Sequence, residues 1–165
     1  MKKFTLLFSS LLVVFFLAGC SSADTYEEGM KAYDSKNYAK AFKIFSAEAT
    51  KGNPDAQHSL GLMYNRGDGD VRQDYKEAVK WYSAAAEKGN INSLTNLAIM
   101  HLNGTGVPKN VINGYALSSL AASLGNPDAK ANMEIAAKEM TPEQIKEAMN
   151  LAQEITGKKE QAKPK

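Results

Sequence analysis

Two histidines and three nearby aspartates are the side chains whose types could support acid–base or metal chemistry. Neither His58 nor His101 is followed by a second metal ligand three or four residues later. Asp68, Asp70 and Asp74 could be oxygen ligands of calcium, but the twelve-residue ligand spacing and its final bidentate glutamate are absent. We therefore predict no catalytic residue, no metal site and no cofactor, and we interpret His101 as a packing residue.

The N-terminal segment carries a different kind of chemistry, centred on the single cysteine. Lys2 and Lys3 precede an uncharged, largely apolar run from Phe4 to Ala18, which is shorter than the ~20 residues of a spanning helix and predicts a cleaved signal peptide over residues 1–19. The run ends in Leu-Ala-Gly-Cys, which resembles a bacterial lipobox. This resemblance implies that Cys20 carries the lipid anchor, diacylglycerol with a further acyl chain such as palmitate. An ordinary secretory signal with an incidental cysteine is the alternative.

Charge limits the partners of the remaining chain. Removal of residues 1–19 leaves 18 basic and 18 acidic residues, so the net charge falls from +2 to zero. This balance gives no reason to expect a nucleic-acid partner. Residues 20–24 are predicted to be a short lipidated tether, and residues 157–165 a disordered basic tail, because the tail is rich in lysine and lacks an apolar period.

An internal repeat organises the rest of the chain. A Gly-Asn phrase recurs at Gly52, Gly89 and Gly125, with spacings of 37 and then 36 residues. A period of this length is typical of helical solenoids, which stack supersecondary units and present an extended surface. Asp70 is the extra residue that lengthens the first spacing.

Each unit is predicted to contain two helices, which we call helix A and helix B. In helix A, Ala56, Leu60, Gly61 and Tyr64 lie on one side at helical spacing, and an asparagine precedes the first turn as an N-cap. Helix B ends at the glycine of the next Gly-Asn phrase. It carries a small residue in register in each unit, which allows close approach of helix A; these residues are Ala41, Ala78 and Gly114.

The complete pattern resembles a Sel-1-like repeat, a relative of the tetratricopeptide repeat. One unit carries nearly all of its motif, including Leu60-Gly61, Met63-Tyr64, Gly67, Gly69, Trp81-Tyr82 and Ala85-Ala86. The next unit has Leu117-Ser118 in place of Trp-Tyr. The resemblance covers residues 25–156 and implies an all-α fold, a right-handed α-solenoid of about four antiparallel helix pairs. A capping box at residues 141–144 is predicted to open the final helix, which ends near Thr156.

The resemblance also implies where a partner would bind, because tetratricopeptide repeats expose one side of each helix A on a concave face. The transferred positions are Tyr26, Met30, Tyr33, Asp55, His58, Leu62, Asn65, Asn92, Thr95, Ile99 and Leu102, continued in the last unit by Asp128, Ala131, Ile135 and Lys138. Four of them, Met30, Leu62, Ile99 and Ile135, form an apolar column. The column is either a peptide-binding groove or part of the core, and the sequence leaves both interpretations open.

These patterns predict a lipid-anchored protein–protein interaction scaffold of the cell envelope. Ser21 after the lipidated cysteine favours the periplasmic side of the outer membrane in a Gram-negative cell. The resemblance implies a second role, since small Sel-1-like lipoproteins serve as immunity proteins that neutralise phospholipase toxins of type VI secretion. A cell-wall hydrolase is a third possibility, which would require a convergent acid, base or metal cluster.

Overall fold

The computed structural model describes residues 25–161, with side chains through residue 157. This part of the chain forms eight α-helices and no strand. The helices are α1 (Tyr26–Asp34), α2 (Tyr38–Lys51), α3 (Pro54–Arg66), α4 (Tyr75–Glu87), α5 (Ile91–Asn103), α6 (Val111–Ser123), α7 (Asp128–Ala137) and α8 (Pro142–Gln161). The predicted all-helical repeat fold is confirmed. The predicted signal peptide, the predicted lipidation site at Cys20 and the predicted tether to residue 24 lie outside the described residues.

The Gly-Asn phrases mark the boundaries between units. The Asn53 side chain accepts hydrogen bonds from the backbone N–H groups of Asp55 and Ala56 at 2.9 and 3.1 Å, and Asn90 and Asn126 cap the following helices in the same way. The glycine before each asparagine has a φ between 90° and 96°, which an L side chain rarely adopts. Each asparagine cap contributes about 1 kcal/mol to helix stability. The phrase therefore ends one unit and begins the next.

Helix A and helix B of each of the first three units pack against each other, as α1 with α2, α3 with α4 and α5 with α6. The predicted small residues lie in these interfaces, and Ala41 and Ala78 are fully buried. Gly114 is required to be small, because a Cβ there would overlap the side chain of Leu102. Gly61 must also be small, because a Cβ added there would lie 2.8 Å from two ring carbons of Tyr82.

The hydrophobic core is a series of clusters along the array. The first surrounds Phe45 and Leu60, the second surrounds Tyr82 and Leu97, and the third surrounds Tyr115. Full burial of one such large side chain stabilises the fold by roughly 1.5–3 kcal/mol. Because each cluster draws residues from neighbouring units, the stability of one unit depends on the next one.

The last unit departs from the regular pairing. Both α7 and α8 pack against α6, and α8 contacts α6 more extensively than it contacts α7. Helix α6 contains no charged side chain, and its apolar residues are not confined to one side. Its apolar surface must therefore be covered on the side where a further unit would stack. Ala148 and Ala152 of α8 cover this surface as part of the third cluster.

Helix α8 begins as predicted and extends further than predicted. Thr141 and Gln144 form a reciprocal capping box, with backbone-to-side-chain distances of 2.9 and 3.3 Å. The helix continues to Gln161 instead of ending near Thr156, so residues 157–161 are helical and not part of a disordered tail. The helix passes through Gly157 although glycine is a weak helix former. Residues 162–165 lie outside the described part.

Candidate functional site

The A-helix surface, the surface formed by the outward side chains of α1, α3 and α5, contains most of the predicted partner-binding residues. Met30 and Leu62 of the apolar column are half-buried, whereas Ile99 is 39% exposed and Ile135, on α7, is 53% exposed. None of the four belongs to the buried core. The column is therefore open to solvent and becomes more exposed toward the C-terminal units.

Polar contacts fix the part of this surface between α1 and α3. The Tyr33 hydroxyl donates a hydrogen bond of 2.7 Å to Asp68 and accepts one of 3.1 Å from the Arg66 guanidinium. Burial and the acceptor Asp68 both raise the pKa of Tyr33. The Tyr26 hydroxyl lies 3.3 Å from the Ser59 hydroxyl. Tyr26 and Tyr33 thus connect the first unit to the second.

Polar contacts also connect α3 to α5. Nδ1 of His58 lies 3.0 Å from the Ser93 hydroxyl, and Asn90 donates a hydrogen bond of 2.9 Å to Asp55. The His58 ring also packs on Tyr82, with a centroid distance of 5.6 Å. Burial lowers the pKa of His58, and the opposing effect of Asp55 is smaller. His58 is therefore neutral at pH 7 and serves as a link between two units.

An open groove of about 330 Å³ lies between α3 and α5 beyond these contacts. Its walls are uncharged, and they are formed by Asn65, Tyr75, Tyr82, Asn96, Ile99, Met100, Asn103 and Thr105. On α5 the residues Asn96, Ile99 and Asn103 are spaced i, i+3 and i+7, so they share one side of the helix. The spacing of the three α5 residues can be seen in the sequence. The positions transferred from tetratricopeptide repeats, however, included only Asn65 and Ile99 of the groove lining.

The Tyr82 hydroxyl is an unsatisfied polar group in the groove. Tyr82 is 1% exposed, and its hydroxyl has no hydrogen-bond partner. Burial raises the pKa of this hydroxyl strongly, and Arg66 and the nearby Asn96 side chain oppose that shift. A buried hydroxyl without a partner costs about 1–3 kcal/mol, and the neighbouring Asn96 side chain is the polar group placed to offset that cost.

Two of the transferred positions do not contribute to the open surface. Thr95 is 7% exposed, and its hydroxyl donates a hydrogen bond to the backbone carbonyl of Ile91. Leu102 packs into the space that Gly114 leaves in α6. The corresponding residue in α4 is Ala78, whose methyl group fills that space. We therefore omit Thr95 and Leu102 from the candidate surface, while Asn92 remains exposed on it.

The remaining residues that could support acid–base or metal chemistry have structural roles. Asp68 accepts the Tyr33 hydrogen bond, and Asp74 caps α4 through the backbone N–H groups of Lys76 and Glu77. His101 is half-buried, and burial lowers the pKa of its ring. Its backbone carbonyl accepts a hydrogen bond from the backbone N–H of the N-cap residue of α6. The Tyr64 carbonyl accepts the same bond from the N-cap residue of α4. Between residues 25 and 161 no cluster of three His, Cys, Asp or Glu side chains is arranged to hold a metal ion. No helix in this range is long and apolar enough to cross a bilayer.

Comparison with known proteins identifies the repeat. The sequence profile of the Sel1 repeat matches residues 15–53, 54–90 and 91–126, with boundaries at the asparagine caps. A protective antigen present in uropathogenic Escherichia coli strains, which displays an SLR fold, is similar with a TM-score of 0.74 and 25% identity over 85% of this chain and 32% of that one. A Sel1 repeat protein from Oxalobacter formigenes gives a TM-score of 0.63 and 29% identity over 66% of this chain and 44% of that one. No curated protein matches.

The fold and the open A-helix surface define a helical repeat scaffold for protein–protein interaction. The chain belongs to the Sel1 repeat family. It spans less than half the length of either solved relative. Sel1 repeat proteins are generally scaffolds without enzymatic activity, and their fold indicates protein partners.

Proposed function

We propose that the chain is an envelope-anchored adaptor that holds an extended segment of a partner protein in the groove between α3 and α5. The observation that carries this proposal is the uncharged, amide-rich lining of the groove. An asparagine amide offers the same donors and acceptor as a peptide bond, so Asn65, Asn96 and Asn103 can pair with a partner's main chain. Ile99 adds an apolar contact for one partner side chain.

The absence of charge from the groove lining indicates the chemistry of the segment. A buried ionised group without an opposite charge is unfavourable, so the lining selects a neutral segment over a charged one. A volume of about 330 Å³ is at the low end of ligand-sized pockets and suits a few residues of a longer segment. Further contacts with Leu62 and Ile135 would extend the bound segment along the column.

Anchoring through Cys20 would place this surface near a membrane. The tether of residues 20–24 reaches at most ~18 Å when extended, so the repeat array would remain close to the bilayer. We propose the periplasmic side of the outer membrane as its location, on the basis of Ser21. The proposal would make the chain a docking platform at that surface.

A site-specific cross-linking experiment tests the proposed groove. A photo-reactive residue at Ile99 in the lipidated protein is expected to cross-link a specific envelope protein in native cells, whereas the same residue at Glu147 on α8 serves as the matched exposed control. Asn96→Ala and Asn103→Ala are expected to reduce the Ile99 adduct. An adduct of equal yield at Glu147, or one insensitive to both asparagine variants, would show that the groove does not bind the partner.

The identity of the cross-linked protein distinguishes the two biological roles. A component of a secretion or envelope assembly would support the adaptor role. A phospholipase toxin whose activity falls when it binds this chain would instead support the immunity role. Hydrolysis of cell-wall material by the purified protein, lost on His58→Asn, would contradict both.

A further inference from the structure

A second hollow lies away from the A-helix surface, where α2 meets the loop between α3 and α4. It has a volume of about 470 Å³ and is lined by Ala39, Phe42, Tyr64, Asp70, Val71, Arg72 and Asp74. None of these residues belongs to the proposed peptide groove. The hollow is therefore separate from the groove and lies between the first and second units.

Two aromatic rings form a corner in this hollow. Phe42 and Tyr64 are both half-buried and meet edge to face, with ring centroids 5.7 Å apart and an interplanar angle of 79°. Both rings line the hollow, and the π face of an aromatic ring attracts a cation. The equivalent residues in the next unit are Val79 and His101, so the repeat as such does not require an aromatic pair here.

Carboxylates lie beside the aromatic corner. Asp70 is exposed and makes no hydrogen bond or ion pair within residues 25–161. Asp74 uses Oδ1 to cap α4, which leaves Oδ2 available. Arg72 is the single basic residue of the lining, so the hollow carries a formal charge of −1. Asp70 is also the residue that the next unit lacks, since the loop there is one residue shorter and contains no acid.

We propose that this hollow binds an arginine side chain of a partner protein. The guanidinium plane would stack on the ring corner of Phe42 and Tyr64 while its N–H groups pair with Asp70. Arginine fits better than lysine, because a guanidinium is planar, weakly hydrated and able to bond a carboxylate through two N–H groups. The site lies between the first and second units and does not depend on binding in the α3–α5 groove.

The direct test is an NMR titration of the ¹⁵N-labelled protein with N-acetyl-arginine methylamide. Saturable shifts are expected at the amides of Phe42, Tyr64 and Val71, with a Kd on the order of 1 mM. The matching amides of the next unit are an internal control and should not move. The neutral analogue N-acetyl-citrulline methylamide keeps the shape but lacks the charge, and it should bind at least about fivefold more weakly.

Single substitutions in the hollow test the contribution of each residue to arginine binding. Asp70→Asn should weaken arginine binding about fivefold, Phe42→Val should weaken it about threefold, and Arg72→Ala should strengthen it by removing a like charge. Glu147→Gln on α8 removes an exposed carboxylate elsewhere and should have no effect. Asp70 is exposed, so Asp70→Asn tests the site even if Phe42→Val disturbs folding.

Three results would overturn the proposal. The first is equal binding of the arginine and citrulline probes, which would remove the cationic basis of recognition. The second is an unchanged Kd in Asp70→Asn. The third is tighter binding of phosphocholine than of the arginine probe, which would assign the hollow to a lipid headgroup.

Discussion

The contact between Gly61 and Tyr82 allows a quantitative test of how the second unit packs. Gly61→Ala replaces a weak helix former with the best one, a gain of about 1 kcal/mol in helix propensity. The new methyl carbon would lie 2.8 Å from Cδ1 and Cε1 of a ring that is 1% exposed. Overpacking of a well-packed core costs about 1–3 kcal/mol. We expect a net loss of about 1 kcal/mol.

A matched variant separates the two effects. Gly157 lies within α8, and no atom is found within 4 Å of the position of its missing Cβ. Gly157→Ala should therefore show the propensity gain alone, about 0.5–1 kcal/mol so near a helix end. Urea denaturation followed by circular dichroism measures both free energies of unfolding, provided that the m-values agree with that of the unmodified protein.

The neighbouring unit supplies a further check. At the positions equivalent to Gly61 and Tyr82 it has Ala98 and Ser118, both fully buried. Alanine in helix A thus accompanies a small residue in helix B. In a Tyr82→Ser background, Gly61→Ala should become stabilising, because the ring that opposes the methyl group is gone. If Gly61→Ala stabilises the unmodified protein as much as Gly157→Ala does, the packing argument is wrong.

Three further predictions concern other parts of the chain. Metabolic labelling with palmitate should mark the unmodified protein but not Cys20→Ser, and labelling that persists in the variant would contradict the lipobox interpretation. Burial lowers the pKa values of His58 and His101, so the unfolded state binds more protons below about pH 6.5. Stability should therefore fall as the pH drops from 7 toward 5.5, as measured by urea denaturation. The decline should become shallower in a His58→Asn/His101→Asn protein, and an equally steep one would show that other groups cause it. Thr141→Ala should cost about 1 kcal/mol through loss of the α8 cap, and an unchanged free energy of unfolding would show that the cap is not limiting.

The sequence predicted the fold well because the repeat signals are local. Caps at Asn53, Asn90 and Asn126 and glycines with positive φ depend on a few neighbouring residues, and the structure has each of them. The packing of α8 on α6 was not predicted, since it depends on the apolar surface that α6 leaves uncovered. The length of α8 was underestimated because residues 157–165 have no apolar period, and the helix continues to Gln161 without one.

The candidate binding surface was less predictable. Transfer of positions from tetratricopeptide repeats assumes that equivalent residues point the same way in every unit. Leu102 contradicts this assumption because Gly114 opens a space that Ala78 closes in the preceding unit. The polar floor of the groove was missed because Tyr82 belongs to helix B, and its unsatisfied hydroxyl follows only from three-dimensional packing.

The cover that α8 provides for α6 has a consequence for how such a chain can evolve. A unit added after α6 would have to displace Ala148 and Ala152 from the third cluster. A unit duplicated further upstream would meet no such obstacle, because each Gly-Asn boundary presents the same left-handed glycine and the same asparagine cap. We therefore expect homologues of different length to differ by whole units between Gly52 and Gly125, with the α6–α8 end retained.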